Sequence, residues 1–164
     1  MTRSLIRSML CLALLACQPI GPCPGGRLAG EVGPPGTPIE ARVLALETAQ
    51  LETRPGEPHS VHTWFVAIGD RLYVPTSMIR GPRDPRERSW VSHVAVDPAV
   101  RIRLGDRVYE RVARRVEDSE EYAQARAALE EKYALDPAAR DPEREVWIFR
   151  LDERMDERRD DRAP

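Results

Sequence analysis

The chain has 164 residues, 41% of them hydrophobic and 32% charged, with 25 basic against 27 acidic side chains and a formal net charge of −2. A chain of this length can bury one core of its own, and without an excess of positive charge it is not expected to bind nucleic acid. The three cysteines, Cys11, Cys17 and Cys23, all fall in the first 23 residues, so no disulfide framework is expected to staple a domain.

The first seven residues, Met1-Thr-Arg-Ser-Leu-Ile-Arg, lead into the apolar run of residues 8–16. A basic start before a short apolar stretch is the layout of a signal peptide, and the run is shorter than the roughly 20 apolar residues that cross a bilayer. Residues 1–16 are therefore expected to be a signal peptide. Leu14-Leu-Ala-Cys17 then resembles the lipobox of bacterial lipoproteins. That resemblance implies acylation of Cys17 and a membrane anchor, since each buried methylene of an acyl chain contributes about 0.8 kcal/mol. Gln18 in the next position implies, by the same resemblance, the outer membrane of a cell envelope with the protein facing the periplasm. With Cys17 lipidated, Cys23 has no intramolecular partner.

Residues 17–38 are dense in Pro and Gly, which break helices and ladders, and read as a lipid-attached tether in which Gly26-Arg-Leu-Ala-Gly-Glu-Val pairs at most locally. A domain is expected over 39–152. The later half of residues 41–54 reads as a strand, Pro55-Gly-Glu-Pro58 as a turn, and 59–68, rich in β-branched and aromatic residues, as a second strand. Gly69-Asp70 reverses the chain into a third strand at 71–77. Asp84-Pro85 opens a helix with Trp90, Val91, Val94 and Ala95 on one face, closed by Asp97-Pro98. Residues 100–104 and 108–112 flank Gly105-Asp106 as a hairpin. Asp118-Ser-Glu-Glu121 resembles a capping box for a helix carrying Tyr122, Ala125, Leu129 and Tyr133, and a last strand covers 146–151. Residues 153–164 form a mixed-charge tail with little to bury, expected to be disordered. The sum is a mainly β fold with inserted helices: six strands in hairpin order that fit a small antiparallel β-barrel, with the helices at its mouth or side.

The segment 51–109 carries the resemblance that supports this architecture. It reads Leu-Glu-Thr-Arg-Pro-Gly-Glu-Pro, then His-Ser-Val-His-Thr-Trp-Phe-Val, then Asp-Arg-Leu-Tyr-Val-Pro-Thr-Ser, then a Trp-bearing stretch closed by Asp97-Pro98 before Val100-Arg-Ile-Arg. It resembles the FMN-binding split barrels, the superfamily of pyridoxamine phosphate oxidases and deazaflavin-dependent nitroreductases. The resemblance implies FMN or a deazaflavin in a groove along the second and third strands, commonly at a homodimer interface. It places Thr63 and Trp64 beside the ring, Pro75, Thr76 and Ser77 along the ring and ribityl chain, and Arg80 with Gly81 at phosphate. A hydroxyl, free backbone amides and a guanidinium fork suit such an anion. The loop Met78-Ile-Arg-Gly-Pro-Arg-Asp-Pro departs from the Ser-Lys-Gly-Gly pattern of the deazaflavin enzymes, and His59 or His62 stands where the oxidases carry a basic residue.

Other groupings are weaker. His59 and His62 fall on opposite faces of a strand and read as surface residues, not metal ligands. Ser77 with His93 could serve a hydrolase, although no Gly-x-Ser-x-Gly elbow is present. Trp64, Trp90 and Trp147 read as core aromatics, and Arg83 and Arg86 as a solvated face. Two functional classes follow: a non-catalytic lipoprotein that binds an unknown ligand or an envelope protein partner, and a flavin- or deazaflavin-dependent oxidoreductase of the envelope. They separate on whether the groove is open and whether Arg80 points into it.

Overall fold

The computed structural model describes residues 25–154. The signal peptide, Cys17, Cys23 and most of the charged tail lie outside the described residues. Among the described residues there are eight strands: β1 (Glu31–Val32), β2 (Ala49–Thr53), β3 (His59–Thr63), β4 (Val66–Ile68), β5 (Arg71–Pro75), β6 (Ala99–Leu104), β7 (Arg107–Arg115) and β8 (Ile148–Glu153). Helices α1 (Ala41–Leu44), α2 (Ser89–Val96) and α3 (Ser119–Lys132) are inserted among them. The sheet order is β3-β2-β6-β7-β8-β5-β4, antiparallel throughout, with β1 added in parallel to β7.

The split barrel is present, but with eight strands instead of the expected six. One extra strand is β1, from the stretch read as a tether: Gly25 pairs with Ser60, Leu28 is 2% exposed, and the Leu28 N–H donates to the Glu52 carboxylate at 2.5 Å. The other comes from a break within 59–68 at Trp64–Phe65. There the Phe65 N–H donates to the Tyr133 hydroxyl at 2.9 Å, and that hydroxyl lies 3.0 Å from the Phe65 carbonyl. A side chain from the end of α3 thus satisfies backbone groups that a strand would have spent on a neighbour. The chain then leaves β2 and pairs with β5, so both ends of the sheet order belong to one segment, and the sheet must curl to bring them together.

Alternation determines the interior. Val100, Ile102 and Leu104 of β6 face inward with Leu51, Phe65, Leu72 and Val74, while Arg101 and Arg103 face outward. Full burial of each such aliphatic side chain contributes about 1.5–3 kcal/mol. Tyr73, Val66 and Ile148 face the other way, under Ala125 and Leu129 of α3. Asp118 caps α3 as expected, accepting from the Glu121 N–H at 2.8 Å, whereas the Glu121 carboxylate turns to Tyr73 and Arg150.

The helix expected from Asp84 is divided. Asp84 caps a 3-10 turn at Pro85–Glu87, extended backbone at Arg88 follows, and α2 starts at Ser89. The final strand is shifted, running from Ile148 to Glu153 where 146–151 was expected. The Thr76 N–H donates to the Trp147 carbonyl at 2.9 Å, holding the chain just before β8 against the end of β5.

Candidate functional site

The end of β3, the chain following β5 and the start of α2 enclose a groove of about 520 Å³. This volume is in the range of small-molecule and cofactor sites. Thr63, Trp64, Pro75, Thr76, Ser77 and Arg80 all line it, although they come from two separated stretches of sequence. Gly81 does not border the groove but lies directly behind it. The groove is open, and Arg80 is on its wall.

Each wall has an identifiable origin. The Trp64 indole is held by a parallel stack on Tyr133, with ring centroids 4.2 Å apart and planes 8° apart. Pro75 ends β5, and Thr76 bonds to Trp147 through both its N–H and its hydroxyl oxygen, the latter at 3.1 Å from the Trp147 N–H. Thr76 and Ser77 are 8% and 5% exposed, so their hydroxyls are preset. Trp90 supplies apolar wall from α2 and is also part of the barrel core, packed against Phe149. Of the three tryptophans only Trp90 is fully buried; Trp64 and Trp147 are half-buried.

The central cation was not apparent from sequence. Arg88, in the extended residue before α2, donates from Nε to Ser77 Oγ at 2.8 Å, places Nη2 on the same oxygen, and reaches the Arg80 carbonyl at 3.3 Å. It has no carboxylate partner among the described residues. Burial first, and then the neighbouring Arg144 charge, lowers the proton affinity of this guanidinium from its ordinary value. Gly81 makes room for it: a Cβ there would stand 2.5 Å from Arg88 Nη2, and its φ of +88° is one that glycine adopts readily. Arg144 in turn donates to the Gly81 and Pro82 carbonyls at 3.2 and 3.0 Å, fixing the loop. No aspartate or glutamate lines the groove.

The remaining candidates resolve differently. Arg83 pairs with Asp141 and Glu143, and Arg86 with Asp84, so neither is offered to the groove. His62 is exposed on the groove wall. His59 meets His93 edge to face at 5.0 Å, His59 Nε2 lies 3.2 Å from Ser89 Oγ, and His93 Nδ1 lies 3.0 Å from Thr53 Oγ1. Ser77 is therefore engaged by Arg88 and His93 by Thr53, which does not assemble the Ser77–His93 hydrolase. Among the described residues no group of three or more His, Cys, Asp or Glu is placed to hold a metal ion, and no helix is long and apolar enough to cross a membrane.

The curled antiparallel barrel is the fold of the pyridoxamine phosphate oxidase-like split barrels. A Listeria innocua protein assigned as a pyridoxamine 5′-phosphate oxidase is similar in structure, with TM-score 0.52 and 15% identity over 70% of this chain and 90% of its own. The conserved hypothetical protein Rv2991 of Mycobacterium tuberculosis gives TM-score 0.54 and 20% identity over 71% and 82%. A structure described as a domain-swapped dimer gives 0.54 and 23% over 65% and 80%. At these identities the likeness shows the fold alone. The sequence model of the F420H(2)-dependent quinone reductases matches residues 27–152, and the chain belongs to that family. No curated protein sequence matches it.

Proposed function

We propose that the groove holds a reduced deazaflavin and that the protein is a deazaflavin-dependent reductase of the cell envelope. The observation that carries this reading is Arg88: a half-buried guanidinium, bonded only to neutral oxygens, beside a groove that no carboxylate lines. A charge in that position is favoured when an anion completes it. Family membership supports the same reading.

The donor set fits such a group. Arg88, the exposed Arg80 and the Ser77 hydroxyl would hold its phosphate, and Trp64 and Trp90 would give its ring apolar walls. Bound there, a deazaflavin supplies hydride transfer, which is its own chemistry. The chain's part is to orient and to exclude water: Tyr133 braces the Trp64 plane, Trp147 holds Thr76, and Arg144 holds the loop that cradles Arg88. None of these side chains needs to act as an acid or base.

The test is titration of the full chain in detergent with reduced and oxidised F420 and with FMN, followed by flavin fluorescence and tryptophan quenching, then by consumption of a quinone. Micromolar F420 binding weakened at least tenfold in Arg88→Met is expected. Failure of both flavins to bind would leave a non-catalytic barrel, the other reading, for which Arg88 already fills part of the groove by bonding to Ser77. A homodimer is part of the proposal, checked by sedimentation. So is the lipid anchor at Cys17: Cys17→Ser is expected to release the protein from the membrane fraction, and unchanged retention and processing would count against it.

A further inference from the structure

Strand β7 carries a residue that its own pattern does not call for. Tyr109 and Ala113 point into the barrel core, and Arg111 stands between them on the same face. Its register partners are Val100 on β6, itself 2% exposed, and Glu153 at the end of β8. Arg111 is 5% exposed, yet among the described residues it makes a single hydrogen bond, from Nη1 to the neighbouring Glu110 carbonyl at 3.0 Å. The Glu153 carboxylate stops 3.9 Å from Nη2, and its side chain is 55% exposed. The Tyr109 ring lies 5.3 Å from the guanidinium carbon. Nε and Nη2 make no hydrogen bond among the described residues, and neither is a fully buried orphan atom, so both remain open to the space beside them.

Beside this cation is a cavity of about 250 Å³, distinct from the groove. Pro38, Ile39, Leu44 and Ala67 give it apolar walls, Arg111 lines it, and the exposed Asp70 and Glu153 stand among its polar lining. At about 30 Å³ per water it has room for roughly eight waters, or for one small organic molecule. We propose that this cavity binds a small carboxylate with a short aliphatic chain, its carboxylate on Arg111 and its chain against Ile39 and Leu44. An apolar wall beside a fork-shaped cation that is only loosely paired, with an exposed carboxylate 3.9 Å away, is complementary to an anion at one end and a hydrocarbon at the other. Burial lowers the proton affinity of Arg111 from its ordinary value, and the Glu153 charge offsets this only in part.

The experiment is calorimetric titration of the full chain with octanoate, with 1-octanol as the uncharged control, together with thermal unfolding. The expected result is saturable octanoate binding, a Tm that rises with octanoate, and no matching binding of octanol. Arg111→Met is expected to abolish binding while unfolding no earlier than the parent chain, because the cation has one hydrogen bond and a long pairing with a half-exposed carboxylate. Glu153→Gln, which removes the nearest carboxylate, is expected to tighten octanoate at least twofold, and Arg88→Met in the other groove to leave the titration unchanged. Octanol binding as well as octanoate, or octanoate binding surviving in Arg111→Met, would overturn the proposal. So would absence of octanoate binding together with a lowered Tm of Arg111→Met, which would make Arg111 a structural cation already satisfied by its own chain.

Discussion

Replacing Tyr133 by phenylalanine removes one oxygen and leaves the Trp64 stack, 4.2 Å between centroids, in place. That oxygen accepts from the Phe65 N–H at 2.9 Å, and its proton is shared between the Glu47 and Phe65 carbonyls at 2.8 and 3.0 Å. Phe65 is fully buried, so its amide has no access to water once the hydroxyl is gone. An orphaned buried donor costs about 1–3 kcal/mol, and the carbonyls add less because each keeps a second lone pair in reserve. The expected loss is about 2 kcal/mol, which for a domain of this size lowers Tm by roughly 8 °C. Urea unfolding monitored by tryptophan fluorescence measures it, with an unchanged m-value showing that the folded state is otherwise intact. Since the break between β3 and β4 aims Trp64 at the groove, ligand affinity should fall as well. A change in stability below about 0.5 kcal/mol would show that the bend does not depend on this hydroxyl, and would refute the account of why the strand splits.

Three further outcomes are expected. Glu52 is 1% exposed, accepts from the Leu28 N–H and pairs with Arg101 at 3.0 Å, so Arg101→Met should cost about 3–5 kcal/mol by leaving a buried carboxylate uncompensated, and limited proteolysis should then cut near residue 28. Gly81→Ala should push Arg88 off Ser77 and impose strain at a φ of +88°, lowering flavin affinity at least tenfold in the same fluorescence titration. Burial, and secondarily Arg54, hold His93 and His59 below their ordinary value of 6.5 in the fold. The unfolded chain therefore binds the extra protons first, so stability should be flat above about pH 7 and fall as pH drops below 6.5, levelling only beneath the folded-state values. Unfolding midpoints measured from pH 8 to pH 5 check this, and His93→Asn should flatten the slope.

The barrel was legible because its signals are local. The alternation of Val100, Ile102 and Leu104 with arginines, the Gly105-Asp106 turn and the Asp118 cap each require only neighbouring residues to be understood. Thr63, Trp64, Pro75, Thr76 and Ser77, named through resemblance, come together on the groove because they sit at or next to strand ends, and Arg80 joins them from the loop after β5. Arg88 escaped notice because nothing in a chain with 24 arginines distinguishes the one that is buried, and because its partner Ser77 is 11 residues away. Arg111 did leave a trace in the sequence, a cation at an inward position between Tyr109 and Ala113, which carries weight only once β7 is known to be central in the sheet.

By itself, the sequence determined most of the strands, the helix opened by Asp118 and which face of each is apolar. Only the tertiary structure decided that residues 25–32 join the barrel, that one expected strand breaks at Trp64–Phe65, and which arginines are solvated, closely paired or set at the edge of a cavity. The reason is that periodicity is a property of adjacent residues. The completion of a backbone amide by Tyr133, or of a guanidinium by an oxygen across the barrel, depends on contacts between residues tens of positions apart, which exist only after the sheet has curled.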